Sequence, residues 1–185
     1  KNNNYFICTS NIDNYFERAG FDKDKIYEAH GNMVKYQCMD KKCTSINGLF
    51  TDKEIQFPPF DKDTFVAHNL PMCPNCSNVL RPNVSMFGDF NFYEKPYQYI
   101  KKRMLNWLNE LNEKNKKLVI LEIGCGINPH SLRMYNNIPM SKEYKLPKIN
   151  KSIHIRLNPE EEEKIKSDVL HLNMGAKSGL KSLLS

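Results

Sequence analysis

Four of the six cysteines fall into two closely spaced pairs, and this pattern limits the possible folds more than any other feature of the chain. Four residues separate Cys38 from Cys43, two separate Cys73 from Cys76, and 29 residues lie between the pairs. Each short spacing can form a tight knuckle that points two sulfurs the same way, and two facing knuckles make a tetrahedral thiolate site. Because four thiolates leave no open coordination position, the spacing predicts a structural zinc ion.

Two disulfides in a secreted protein are the alternative interpretation of these cysteines. Two further cysteines, Cys8 and Cys125, stand alone in apolar, strand-like segments. The chain shows no charged region followed by an apolar core and a cleavage site, which is the pattern of a secretory signal. We therefore favour zinc over disulfides and expect an intracellular protein, either cytoplasmic or nuclear.

The first residues suggest that the chain is a fragment. Lys1 is not an initiator methionine, and residues 4–8 already resemble the inside of a strand. We expect a protein truncated at its N-terminus.

Composition excludes several classes of protein. The chain has 185 residues, of which 40% are apolar and 11% aromatic, which is enough for one packed core and excludes a disordered chain. Its longest clean apolar run, residues 118–121, is too short to span a membrane. A net charge of +6 with scattered lysines gives no reason to expect direct binding of nucleic acid.

Strand-like and helix-like segments alternate on either side of the cysteine pairs. We expect short strands at residues 5–10, 25–29, 116–123, 153–157 and 168–172, and an extended run at 79–89. Helical spacing occurs at residues 11–20, from Pro96 through Leu111, and from Ala176 onward. This order predicts an α/β fold, with a Rossmann-like parallel sheet at 1–33 and 81–185 and a zinc-binding module at 34–80.

Polar residues and glycines follow four of the strands. They are Thr9-Ser10-Asn11, His30-Gly31, Gly124-Cys125-Gly126 and Asn158. In open parallel sheets, ligands bind outside the carboxyl ends of the strands. Together these four strand ends indicate a nucleotide site.

These motifs resemble those of the sirtuins, the NAD-dependent protein lysine deacylases, and they do so in one order over nearly the whole chain. Residues 9–13 with Ala19-Gly20 are similar to the family's Thr-Gln-Asn-x-Asp segment, and residues 28–31 to the strand that ends in the catalytic His-Gly. The four cysteines match the family's zinc module. Residues 81–89 resemble Arg-Pro-x-Val-Val-x-Phe-Gly-Glu, residues 122–126 the Gly-Thr-Ser loop, and residues 156–158 the strand that ends in an adenosine-contacting Asn.

The resemblance implies a role for each matching residue. His30 would be the catalytic base, whereas Asn11, Asp13, Gly124, Cys125, Gly126 and Asn158 would contact NAD. Val84, Phe87 and Gly88 would bind the acyl-lysine peptide. Structural alternatives remain open: a hydrogen-bonded structural histidine for His30, helix caps for Asn11 and Asp13, a tight turn for Gly124 and Gly126, and a buried strand for residues 84–88.

The chain also departs from the family pattern, and this keeps three functions open. Ser10 stands where most members carry Gln, Asp89 replaces Glu, and residues 128–131 do not keep the usual pattern. The resemblance also implies that the family's first strand is missing before Lys1, so we expect the isolated chain to be inactive. The leading prediction is an NAD-dependent protein lysine deacylase of the deacetylase type, which transfers the acyl group to ADP-ribose and releases nicotinamide. The alternatives are an ADP-ribosyltransferase or NAD hydrolase of the same fold, and a zinc-stapled binding module without catalysis.

Overall fold

The computed structural model describes residues 4–125, 151–159 and 169–184. The chain divides into two compact units, Lys1–Lys101 and Lys102–Ser185, which we describe separately. Within the described ranges, none of the helices combines the length and the apolar character needed to cross a membrane.

The first unit opens with two parallel strands, β1 (Ile7–Thr9) and β2 (Ile26–Glu28), which pair from Ile7↔Ile26 to Thr9↔Glu28. Between them lie the helix α1 (Tyr15–Arg18) and a 3-10 turn at Lys23–Lys25. The helix expected over residues 11–20 begins later than expected, at Tyr15, and ends close to the expected limit, with Ala19 as its C-cap before Gly20. Asn14 has a left-handed backbone with φ of 59°, and this conformation cannot continue a helix backward toward Asn11.

A second sheet in this unit is antiparallel, with strand order β4-β3-β5. Its strands are β3 (Gly31–Cys38), β4 (Phe50–Thr51) and β5 (Leu80–Val84), and the helix α2 (Lys41–Asn47) and a 3-10 turn at Asp52–Glu54 lie in the connections. The extended run expected over residues 79–89 therefore ends early, at Val84. The β3–β5 ladder shifts register between Asn32 and Tyr36, so residues 33–35 form a bulge.

The longest helix, α3 (Lys95–Glu113), begins as the Pro96 signal predicts. Tyr97, Met104, Leu108 and Leu111 are buried, as their helical spacing predicts. The Tyr97 ring stacks on Phe92 at 5.6 Å, which joins the start of α3 to the loop before it.

The second unit holds a parallel sheet with order β6-β7-β8, formed by β6 (Leu118–Ile123), β7 (Ser152–Leu157) and β8 (Val169–Leu172). The helix α4 (Ala176–Leu184) follows. A Cβ on Gly179 would lie 2.8 Å from the Leu157 side chain, so the glycine allows α4 to pack closely on β7. The apolar residues between 116 and 123 predict a buried strand, but β6 exposes Val119, Leu121 and Ile123.

One face of β6 and β7 carries a buried charged cluster. The Glu122 carboxylate accepts from Arg156 Nε at 2.6 Å and lies 2.9 Å from His154 Nε2. Burial opposes ionisation of Glu122, but the hydrogen bonds from His154 and Arg156 outweigh it and hold the pKa of this carboxyl below its usual range.

Candidate functional site

A cavity of about 490 Å³ lies at the carboxyl ends of β1 and β2 in the first unit. Its lining includes four predicted site residues from three separate segments of the chain: Asn11 and Asp13, His30, and Val84. The remaining lining residues are Ser10, Ile12 and Ser85. The structure thus places an amide, a carboxylate, an imidazole and two hydroxyls around one open space.

The segment that carries Asn11 and Asp13 is held by hydrogen bonds of its own backbone and side chains. Thr9 Oγ1 accepts from the Asn11 N–H at 3.1 Å, and Asp13 Oδ1 accepts from the Tyr15 N–H at 3.0 Å. Asp13 therefore binds an N–H at the start of α1, which is the kind of contact the helix-cap alternative describes. Asp13 also lines the cavity, so a cap contact and a place in the site occur together at this residue.

His30 and Gly31 form the turn between β2 and β3. The Ala29 N–H donates to Thr9 O at 2.8 Å and the Ser85 N–H donates to His30 O at 2.9 Å, so both neighbouring strands fix this turn. Gly31 has φ of +82°, and a Cβ there would lie 2.1 Å from Asn83 O. The glycine is needed because the β5 backbone passes so close.

Val84 and Phe87 occupy different environments after β5. Val84 is half-buried in the cavity lining, whereas Phe87 is 95% exposed in a turn with Gly88, which has φ of +72°. This excludes the alternative of a buried strand for Phe87. An ion pair between Arg81 and Asp89 closes the turn, and the hydrogen bond from Arg81 holds the pKa of Asp89 below its usual range.

The second unit brings together three more of the predicted residues at the carboxyl ends of β6 and β7. The buried Asn158 donates from Nδ2 to Cys125 O at 3.2 Å, and the Gly124 N–H donates to Leu157 O at 2.9 Å. Gly124 has φ of +62° and open space where a Cβ would be. Gly126 and residues 128–131 lie outside the described residues.

The four paired cysteines converge in the first unit as predicted. Their sulfurs all lie within 4.8 Å of one another, with Cys38 Sγ–Cys76 Sγ at 3.5 Å and Cys43 Sγ–Cys73 Sγ at 3.7 Å. A tetrahedron of thiolates around zinc, with bonds of ~2.3 Å, has sulfur–sulfur edges of about 3.8 Å. The cluster can therefore hold a zinc ion with little rearrangement.

The chain around the sulfurs is built to present them. Asp40 caps α2 by accepting from the N–H groups of Lys42 and Cys43, which sets Cys43 in the first turn of the helix. Asn47 Nδ2 lies 3.3 Å from Cys43 Sγ and can donate to it. Apolar side chains pack around the buried cysteines; they are Tyr36, Phe50, Ile55 and Leu80.

Comparison with known proteins assigns the family. The sequence model of the Sir2 family matches residues 1–118, which include the cavity and the cysteine cluster. The chain belongs to the Sir2 family.

This Sir2-family chain resembles two differently named relatives. An NAD-dependent protein deacylase of Thermococcus sibiricus is 34% identical over 83 residues, which cover 45% of this chain and 29% of the relative. A protein of Fusarium oxysporum f. sp. cubense named "Probable bifunctional ADP-ribose hydrolase/ADP-ribosyltransferase" is 28% identical over 138 residues, which cover 71% of this chain and 22% of the relative.

A solved structure supports the fold. The structure of Sir2Tm bound to a propionylated peptide aligns with a TM-score of 0.59 at 18% identity, covering 97% of this chain and 62% of that one. The predicted α/β class with a Rossmann-like parallel sheet and a four-cysteine module is thereby confirmed. The chain spans less than two thirds of the length of the proteins it matches.

No pattern in the sequence predicted a role for several residues that the structure places in or beside the site. Ile12 and Ser85 line the cavity, and the buried Glu28 and Asn32 flank the His30–Gly31 turn. A signal for the last two was present, because a charged and an amide residue at equal distances from His30 interrupt apolar strands. The hydrogen bond between Glu28 and Asn32 forms because the turn brings the two residues face to face.

Proposed function

We propose that the complete protein is an NAD-dependent protein lysine deacylase of the deacetylase type. It would move an acyl group from lysine to ADP-ribose and release nicotinamide. The observation that carries this proposal is the cavity that groups His30 with Asn11 and Asp13. Membership of the Sir2 family and the likeness to a named NAD-dependent deacylase support it.

The cavity lining suits NAD as the cofactor. The Asn11 amide can donate to and accept from the carboxamide of nicotinamide, and the second Asp13 oxygen can accept from a ribose hydroxyl. When bound, NAD supplies an electrophilic anomeric carbon and nicotinamide as the leaving group. In the second unit, Gly124, Cys125, Gly126 and Asn158 are the proposed contacts for the phosphate and adenosine parts, since Gly124 leaves room for close approach to its backbone.

His30 is the proposed general base. Imidazole is the side chain suited to accept a proton near neutral pH, and the proton would come from a ribose hydroxyl. His30 O accepts a hydrogen bond from the Ser85 N–H, and the Ala29 N–H donates to Thr9 O. These bonds fix the backbone of the turn that carries the imidazole ring.

The proposed partner is an acyl-lysine protein or peptide. β5 is an edge strand of the β4-β3-β5 sheet, and an edge can pair with an extended peptide through backbone hydrogen bonds. Val84 would contact the lysine chain from the cavity lining, and Phe87 and Gly88 lie in the turn that continues this edge.

We also propose the cofactor arrangement and the compartment. Residues 34–80 form the zinc-binding module, with zinc held by Cys38, Cys43, Cys73 and Cys76, between Rossmann-like parts at 1–33 and 81–185. Thiolates that bind zinc must stay reduced, which favours an intracellular site, cytoplasmic or nuclear.

Substitution of His30 tests the proposal in the full-length protein. His30→Ala should lower the turnover of an acetyl-lysine peptide ~10²–10⁴-fold, while calorimetry still detects NAD binding. His68→Ala is the matched control, because His68 is an exposed histidine in the zinc-binding module. A His30→Ala enzyme that keeps more than about a third of its rate would refute the assignment of the base.

ADP-ribosyl transfer or NAD hydrolysis is the second candidate. It is favoured by Ser10 in the cavity lining and by the Fusarium protein, whose match covers more of this chain than that of the Thermococcus deacylase. Mass spectrometry of an acetyl-lysine peptide incubated with NAD separates the two functions. Loss of the acetyl mass supports deacylation, whereas gain of an ADP-ribose mass, or free ADP-ribose with an unchanged peptide, supports the second candidate.

A further inference from the structure

The side chains two residues before and two residues after His30 are joined across the His30–Gly31 turn. Glu28, at the end of β2, accepts a hydrogen bond from Asn32 Nδ2, near the start of β3. Both residues are buried, and Asn32 has no exposed surface. The turn that carries His30 is therefore closed at its base by one side-chain contact.

The same amide also binds the segment that carries Asn11 and Asp13. Asn32 Nδ2 donates to Asn14 Oδ1 at 3.0 Å, and Asn14 directly follows Asp13. The Asn32 Oδ1 accepts from the Val34 N–H at 3.0 Å inside the β3 bulge. With the ladder interrupted by the bulge, the Met33 N–H donates instead to Ile12 O at 3.0 Å.

The Asn32 amide uses both of its N–H donors and its oxygen in these three contacts. A primary amide offers two N–H donors, used here by Glu28 and Asn14, and one acceptor oxygen, used by Val34. Aspartate would have no donor and would set a second carboxylate against Glu28. Alanine would leave the Val34 N–H buried without its acceptor, and Glu28 would lose the hydrogen bond from Asn32 and keep its contact with Lys35.

We propose that Asn32 is a positioning residue that sets the Asn11–Asp13 segment against His30. The effect on catalysis rests on the proposed function, whereas the hydrogen bonds that join Asn32 to Glu28 and Asn14 do not depend on it. The Asn32 amide holds Asn14 in its left-handed conformation, and Asn14 in turn directs Asp13 and Asn11 into the cavity. Neither Asn32 nor Glu28 lines the cavity, so both act through these neighbours.

Hydrogen exchange of the full-length protein without ligands tests the link directly. Asn32→Asp should speed exchange of the backbone amides of residues 11–15 at least tenfold. The matched control is Asn83→Asp, since Asn83 is the register partner of Asn32 on β5 and is equally buried. The Asn83 amide contacts Gln37 and Tyr93, so its loss should destabilise the protein without reaching residues 11–15.

Substitutions of Asn14 keep the test decisive if Asn32→Asp does not fold. Asn14→Gly accepts the left-handed backbone but removes the acceptor, and it should speed exchange of residues 11–15. Asn14→Asp keeps an acceptor oxygen and should remain within twofold of the wild type. If Asn14→Gly also matches the wild type, or if Asn83→Asp speeds exchange as much as Asn32→Asp, the proposal is overturned.

Two further measurements connect the link to function. Asn14→Gly should weaken NAD binding in calorimetry and lower kcat at least tenfold, with the KM for an acetyl-lysine peptide within twofold of the wild type. A purely structural defect would lower the melting temperature without lowering kcat selectively relative to KM. That outcome would overturn the proposal. If the wild type shows no NAD-dependent deacylation, the proposed function fails, and the exchange measurements still decide whether Asn32 positions the segment.

Discussion

Gly31 and Gly20 separate two reasons for which a position can require glycine. Both have left-handed backbones, with φ of +82° and +85°. A Cβ on Gly31 would overlap Asn83 O, whereas a Cβ on Gly20 would have nothing within 4 Å. Backbone strain therefore applies to both positions, and overlap with a neighbouring strand applies to Gly31.

We predict that Gly31→Ala destabilises the protein far more than Gly20→Ala. The strain of a left-handed alanine costs about 1–2 kcal/mol, which we expect for Gly20→Ala. Gly31→Ala must also displace β5, and we expect a loss of more than about 4 kcal/mol or failure to fold. Urea unfolding of the two variants measures the difference, and equal losses would show that the approach of β5 is unimportant.

Glu28 and Lys35 give the first unit a defined pH response. Burial raises the pKa of Glu28, and the charge of Lys35, with Nζ 3.4 Å from the carboxylate, offsets this in part. A carboxyl whose folded pKa is raised binds its proton more tightly in the folded state. Its contribution to stability is therefore lost as pH rises from the unfolded pKa through the folded one.

We predict that Lys35→Met makes this loss larger. Without the lysine the folded pKa of Glu28 rises further, so the variant should match the wild type near pH 4 and fall below it above the carboxyl range. Since the Lys35 side chain is 35% exposed, we expect a difference of at most about 1 kcal/mol at pH 8. In a Glu28→Gln background the same substitution should show no such pH dependence, and denaturant unfolding across pH 4–8 checks both variants.

Among the elements of the first unit, the turn after β5 depends on one ion pair. Arg81 bonds both Val84 O and the Asp89 carboxylate, and Asp89 Oδ1 accepts from the Asn91 N–H. The turn between them presents Phe87 and Gly88 without burying Phe87. The charged hydrogen bond between Arg81 and Asp89, rather than apolar packing of Phe87, therefore holds the conformation of this turn.

We predict that Asp89→Asn loosens this turn at neutral pH and not in acid. Because the folded pKa of Asp89 is depressed, its contribution is present above the unfolded carboxyl pKa and is lost as pH falls through the folded value. We expect a loss of about 1–3 kcal/mol at pH 7 that shrinks below about pH 4. Asp89→Glu keeps the charge and should lose less, and exchange of amides 85–91 at pH 7 provides the local measurement.

Across the two units, the zinc-binding module should be the part that depends on metal. Three of the paired cysteines, Cys38, Cys43 and Cys73, pack in one buried cluster of the first unit with Phe50, Ile55 and Leu80. The strands of the second unit pair with one another in the order β6-β7-β8. We therefore expect metal removal to disrupt the cysteine cluster and to leave the hydrogen bonds of the β6-β7-β8 sheet intact.

We predict that freshly purified, reduced protein carries about one zinc per chain and that chelation unfolds residues 34–80 first. Structural zinc in small modules supplies on the order of 10 kcal/mol of apparent binding free energy. The apolar cluster around the cysteines is too small to keep the module folded without it. Exchange of β6–β8 amides should stay unchanged. Cys43→Ser should reproduce the effect, while Cys8→Ser, outside the cluster, should retain zinc; less than half a zinc per chain would contradict the assignment.

Local spacing carried most of what could be predicted. The cysteine pairs, the face of α3, and the polar ends of β1, β2, β6 and β7 are signals that lie within a few residues of one another. Helical period, knuckle spacing and strand length are local properties of the chain, so sequence alone determines them.

The tertiary structure decided what depends on partners far away in sequence. Gly31 is required because β5 returns about 50 residues later, and Asn32 joins Asn14 to Glu28 only because two strands bring them together. Glu122, His154 and Arg156 likewise form a cluster through parallel pairing between β6 and β7. A hydrogen bond or a close backbone approach forms only in one register, and register is settled by the packing of the whole fold rather than by the residues nearby.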